Sequence, residues 1–180
     1  MQINKRQMAI SWSKRKLIDN NVVFLDTETT GIGKNAKVVD LGVIDNKGNI
    51  LINLLIQPGI PMPSEATAVN GITNGMLEGC PRFVQVFASI KKILKGKTII
   101  AWNSPFDKRV MENEFKNIGE VLDNCEWEDE MPIYADYSNK PKRNKLCIAA
   151  KECGIVEEQS HRSVDDCLFT LEVLKYMASH

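Results

Sequence analysis

The chain has 180 residues, 23 basic against 23 acidic, with 43% hydrophobic and 26% charged side chains, which suits one globular domain with a sizeable core. Zero net charge is not the signature of a simple nucleic-acid coat, no stretch reaches the length of a membrane span, and the first residues lack the apolar core of a secretory signal. Five cysteines, Cys80, Cys125, Cys147, Cys153 and Cys167, form no Cys-x-x-Cys pair; they argue against a disulfide framework or structural zinc site and fit reduced thiols in a cytoplasmic protein. The charge is unevenly placed. Residues 1–20 hold Lys5, Arg6, Lys14, Arg15 and Lys16 against Asp19, a net +4, so the remainder carries −4.

In chain order, Met8, Trp12 and Arg15 or Lys16 line one side of a helix within 1–20, a basic segment read either as a helix packed on the domain or as a nucleic-acid arm; 21–180 is read as the main domain. The run Val22 to Leu25 is apolar and bounded by turn residues, as a buried strand is, and continues into Asp26-Thr27-Glu28-Thr29-Thr30-Gly31. A second strand is expected over 38–45, a tight Asp45-Asn46-Lys47-Gly48 turn, then a third strand over 50–57, ended by Pro58, Pro61 and Pro63. Apolar residues at 83, 84, 86, 87, 90, 93 and 94 keep the helical period and stop at Gly96. A fourth strand over 98–102, a helix over 105–118, a short fifth strand within 125–131 and helices over 144–153 and 163–178 complete the order. Three antiparallel strands followed by helix–strand alternation indicate an α/β layered fold.

Five residues carry chemistry. Side chains alternate along a strand, so Asp26 and Glu28 share one face; two carboxylates side by side at a buried strand end repel, and a divalent cation bound through oxygens neutralises them. The competing reading is a surface strand end with solvated acids. Asp107 lies in the first turn of the helix that Pro105 opens, near a strand's C-terminal end, where open α/β sheets place their sites; taken singly it also reads as a dipole-stabilising residue. His161 precedes a helix bearing Asp165 and Asp166, and a lone loop histidine beside acids is commonly structural. The basic run 140–145 is a candidate phosphate contact or a solvated loop.

Together, Asp26-x-Glu28, Asn103 to Asp107 and His161 to Asp166 resemble the DEDDh branch of the 3′→5′ exonucleases, the family of the bacterial DNA polymerase III proofreading subunit and ribonuclease T. The resemblance runs from about residue 22 to the C-terminus. It implies a ribonuclease H-like fold, a mixed five-stranded sheet flanked by helices. It implies that Asp26, Glu28, Asp107 and Asp166 hold two Mg²⁺ or Mn²⁺ ions, with Asp26 as the bridge and His161 as the base for the attacking water. The family spacing selects Asp166 over Asp165. Thr27, Thr29, Ile72 and Asn103 are the corresponding candidates for holding or supporting the terminal nucleotide. Asn70 departs from the pattern, since many relatives have histidine there. The expected substrate is single-stranded DNA with a free 3′ end, cut to nucleoside 5′-monophosphates. Alternatives are an RNA-trimming or oligoribonucleotide-degrading enzyme, or a non-catalytic nucleic-acid-binding adaptor. A DNA polymerase or other replication or repair protein is a possible partner, and a membrane is not.

Overall fold

The most continuously apolar runs become the middle of a sheet. In the computed structural model, which describes residues 4–141, 144–155 and 162–180, the chain begins with α1 (Lys5–Ile18), then β1 (Val22–Thr29), β2 (Val38–Asp45) and β3 (Ile50–Leu55). Two short helices, α2 (Ser64–Asn70) and α3 (Asn74–Leu77), precede α4 (Phe83–Leu94). The second half alternates: β4 (Thr98–Ala101), α5 (Ser104–Asn117), β5 (Glu126–Asp129), α6 (Glu130–Ser138), α7 (Leu146–Glu152) and α8 (Ser163–Ser179). The strand order is β3-β2-β1-β4-β5, with β1–β2 and β2–β3 antiparallel and β1–β4 and β4–β5 parallel. This is the mixed, five-stranded, helix-flanked sheet expected.

The alternation of β1 sorts the two cores. Val23 and Leu25 join Phe83, Ile90, Leu94, Val110, Met111 and Phe115 under α4 and α5, where Phe83 and Phe115 meet edge to face at 5.2 Å. Val22 and Phe24 face the other side, with Val164, Cys167, Leu171 and Leu174 of α8. Asp26 and Glu28 continue that second set, so the strand period itself carries two acids toward the start of α8. The β2–β3 hairpin closes where the Asp45 carboxylate accepts the Lys47 and Asn49 N–H groups.

The N-terminal helix is packed. Asn4 caps it by accepting the Arg6 N–H, Ala9 and Ser13 are buried, the Trp12 indole donates to Glu128 Oε2 at 2.6 Å, and Lys16 pairs with the same carboxylate at 2.5 Å. Three helices had no sequence expectation. The stretch after the prolines folds into α2 and α3 over a small core of Val39, Met62, Ala66, Ile72 and Leu77. Helix α6 follows β5 directly, capped by Asp129, whose side chain accepts the Met131 N–H.

Candidate active site

The acids meet because β1 outruns its parallel neighbour. Strand β4 pairs with β1 only over Val22 to Phe24, so the last part of β1 has β2 on one side and a gap on the other. The chain leaving β4 turns through Asn103, held in the left-handed region at φ 66° and ψ 48°, and starts α5. That turn swings Asp107 into the gap. Its Oδ1 accepts both the Thr27 N–H (3.1 Å) and the Thr27 hydroxyl (2.7 Å), so Asp107 satisfies a backbone donor that β4 leaves unpaired. The Asn103 N–H is in turn bound by the Asp129 carboxylate at 3.0 Å.

Helix α8 is brought onto β2 at unusually close range. A Cβ on Gly42 would lie 2.6 Å from the Ser163 carbonyl carbon and the Val164 nitrogen; only glycine leaves room for backbone to lie on backbone there. In register, Gly42 pairs with Asp26 and Asp40 with Glu28. The first turn of α8 therefore crosses β2 beside the two β1 acids, and Asp166, one turn into the helix, joins them. Asp26, Glu28 and Asp166 offer ligand oxygens that all lie within 4.8 Å of one another.

The electrostatics follow from that crowding. Burial raises the Asp26 pKa well above the usual carboxylate range, and Asp107, Asp166, Glu28 and Asp40 push the same way. Glu28 is pushed up to about 8, by burial first and then by Asp166 and Asp40, with the Asn70 amide opposing. Asp107 rises to about 7 through burial, against the lowering effect of its bonds from Thr27. Such a set is relieved either by protons or by a cation. Oxygen-only donors converging within a few ångströms suit a hard divalent ion, and Asp26, Glu28 and Asp166 converge in this way, with Asp107 near enough to raise the Asp26 pKa.

Beside the acids runs a cavity of about 520 Å³ lined by Thr27 to Ile32, Pro63, Glu65, Ala66, Val69, Asn70 and Phe106. The candidate substrate residues occupy different positions around it. Thr27 spends its hydroxyl on Asp107, and Thr29 donates to the Gly31 carbonyl at 2.7 Å. Ile72 is fully buried beneath α2 and does not line the cavity, whereas Val69, which is 68% exposed, does. Asn103 acts through its backbone turn. Asn70, the departure from the family pattern, ties α2 to β1: its amide donates to the Thr29 carbonyl (3.2 Å) and its oxygen accepts the Ile72 N–H (3.0 Å). His161 lies outside the described residues. Sequence reasoning passed over Asp40, although a carboxylate inside an otherwise apolar strand was a signal, and over Val69 and Phe106, whose place depends on an unforeseen helix and on the α5 turn.

Comparison with known proteins gives this geometry a family. The family model RNase_T, described as Exonuclease, matches residues 23–174. The chain is 32% identical over 182 residues to the uncharacterized exonuclease CP81 of Escherichia phage 186, covering 94% of each. It is 29% identical over 177 residues to the DNA polymerase III PolC-type of Clostridium perfringens, covering 96% of this chain but only 12% of that one; proteins named DNA polymerase III subunit epsilon also match. Among solved structures, exonuclease X in complex with 5′ overhanging duplex DNA superimposes with a TM-score of 0.66 at 23% identity, over 87% of this chain and 90% of that one. The fold is the ribonuclease H-like fold of these exonucleases, and the chain belongs to the RNase_T exonuclease family. It is a nuclease of the DEDDh type, and its acidic cluster matches the divalent-metal dependence usual in that family. No helix among the described residues is long and apolar enough to cross a membrane.

Proposed function

We propose that this protein is a two-metal-ion 3′→5′ exonuclease that hydrolyses single-stranded DNA from its free 3′ end and releases nucleoside 5′-monophosphates. The observation that carries the reading is the convergence of Asp26, Glu28 and Asp166, with Asp107 beside them, at the mouth of an open groove. Asp26, Glu28, Asp107 and Asp166 would hold two Mg²⁺ or Mn²⁺ ions. When bound, such ions lower the pKa of the attacking water and stabilise the charge on the departing 3′ oxygen. Thr27 fixes Asp107 in place. The first turn of α8, seated on Gly42, fixes Asp166. His161 accepts the proton of the attacking water, the new P–O bond forms, and the bond to the 3′ oxygen of the preceding nucleotide breaks. The terminal nucleoside lies in the groove between Val69 and Phe106, with Thr27 and Thr29 shaping its floor and rim and the Asn103 turn supporting the site.

DNA is preferred as substrate because proteins named for DNA polymerase III are among the relatives and the superimposed exonuclease X was solved with DNA. The same relatives make a polymerase or another replication or repair protein in the cytoplasm the fitting partner. The test is digestion of matched 5′-labelled DNA and RNA single strands with Mg²⁺ or Mn²⁺. A ladder shortening from the 3′ end of DNA, abolished by EDTA, is expected. A closed circular strand cut at a similar rate would overturn the exonuclease direction, and faster digestion of RNA would replace the substrate.

A further inference from the structure

Asp40 is fully buried in the middle of β2, opposite Glu28. Its Oδ2 accepts from Arg162 Nε at 2.7 Å and from the Ser163 N–H at 3.3 Å. Its Oδ1 is buried without a partner. A fork-to-fork pair would have satisfied both oxygens with two guanidinium donors. Here the guanidinium is bound through Nε alone, and neither Nη nitrogen bonds Asp40. The Arg162 side chain is 37% exposed, and among the described residues no acceptor meets its Nη groups. Glu28 and Asp165 lie within its electrostatic reach, so this cation stands beside the acid cluster.

Arg162 is not the sole tie between α8 and the sheet. The Gly42 approach and the Asp40–Ser163 bond already join the helix to β2. What Arg162 adds is a positive charge with spare planar donors, oriented by a buried carboxylate and open to solvent. A phosphodiester strand nearing four carboxylates needs such a charge. A guanidinium already fixed at Nε also loses little rotamer freedom on binding.

We infer that Arg162 is a substrate-binding residue whose Nη groups donate to a non-bridging phosphate oxygen of the bound strand, with Asp40 as its positioning residue. The identity of the ligand rests on the exonuclease reading; the placement of the cation does not.

The experiment measures binding of a short 5′-labelled single-stranded DNA in Ca²⁺ by wild type, Arg162→Gln and Arg162→Lys, with melting curves to check folding. It is repeated with strands in which one phosphate at a time, counted from the 3′ end, is replaced by neutral methylphosphonate. Arg162→Gln is expected to raise Kd roughly 10- to 100-fold, the worth of a hydrogen bond to a charged group. It should lower the slope of log K against log salt by about 0.7, one phosphate on a single strand. One methylphosphonate position should weaken wild type strongly and Arg162→Gln hardly at all, with Arg162→Lys between them. If Arg162→Gln does not fold, the Arg162→Lys series carries the test. Unchanged affinity and salt slope, or equal sensitivity of wild type and variant at every position, would make Arg162 a structural clasp only. A wild type that binds strands in this pattern but never shortens them in Mg²⁺ or Mn²⁺ would sink the exonuclease reading and leave the phosphate contact standing.

Discussion

Two of the places that bury carboxylates in this molecule solve the problem differently. At the end of β1, acids from β1, α5 and α8 converge beside an open groove. Away from it, Glu130 at the start of α6 is fully buried with neither oxygen hydrogen-bonded; burial, then the neighbouring Asp129, raises its pKa well above the usual carboxylate range. Both sites disfavour a bare negative charge. The first is multidentate and reachable from solvent, so a divalent ion fits it. The second is a single side chain closed off from water, so a proton neutralises it. A raised carboxylate pKa therefore does not mark a site; convergence and access do.

The largest test of this contrast is activity. Asp26→Asn, Glu28→Gln and Asp166→Asn should each lower turnover on 5′-labelled single-stranded DNA by at least about 10³-fold, several kcal/mol of transition-state charge stabilisation, whereas Glu130→Met should keep the wild-type rate. Mn²⁺ should raise the melting temperature of wild type and Glu130→Met alike, but raise that of the three ligand variants less. Inactivity of Glu130→Met in a folded protein would erase the distinction between the two sites.

His161 sharpens the functional side of the comparison. His161→Gln should slow turnover roughly 10²–10⁴-fold, the usual worth of general-base catalysis, while leaving the Mn²⁺-induced rise in melting temperature intact. Loss of that rise would make His161 a ligand and not a base. Thr27→Val, which removes the hydroxyl held by Asp107, should reduce turnover about tenfold or somewhat more, as loss of a hydrogen bond to a charged group does. An unchanged rate would mean that the Thr27 N–H alone suffices to hold Asp107.

Stability against pH separates the two sites with the smallest effects. The Glu28 and Glu130 pKa values are raised on folding, so each favours the folded state while protonated. That contribution is complete below the unfolded carboxylate range and is lost as pH rises through the folded pKa, which for Glu28 is about 8. Metal-free wild type should therefore lose stability between pH 4 and pH 8, and Glu28→Gln should lose less. Glu130→Met should be about 1–3 kcal/mol more stable than wild type at pH 8, the usual penalty of a buried unsatisfied polar group, with a smaller gain at pH 4. Urea titrations at the two pH values measure both. A gain from Glu130→Met that does not change with pH would show that its charge state is not what burial controls. Mn²⁺ should cancel the alkaline loss at the β1 acids and leave the Glu130 part untouched.

Much of the fold was legible because its signals were local. The unbroken apolar runs of β1 and β2, the Asp45 to Gly48 turn and the helical period of 83–94 each stand within a dozen residues. Helix α6 was not, since Pro132 and Tyr137 interrupt any clean amphipathic pattern and its start is set by Asp129, a cap that is recognisable once β5 is known to end there. Helices α2 and α3 hide behind prolines that read equally well as loop. The burial of Ile72 was hidden for a related reason, since it depends on the helix above it.

At the site, the two-residue period of a strand was enough to show that Asp26 and Glu28 look the same way, and the motifs named the residues proposed to carry the chemistry. The three motifs in order also indicated the family, because chance does not keep several spacings at once. How those residues meet depends on long-range packing. Asp107 reaches the cluster because β4 stops pairing with β1 at Phe24. Asp166 does so because Gly42 lets α8 lie on β2. Arg162 is turned outward because a buried aspartate on a neighbouring strand binds it at Nε. Each of these depends on a contact between segments tens of residues apart, and local propensity does not encode such contacts; packing selects them when the sheet and its helices close.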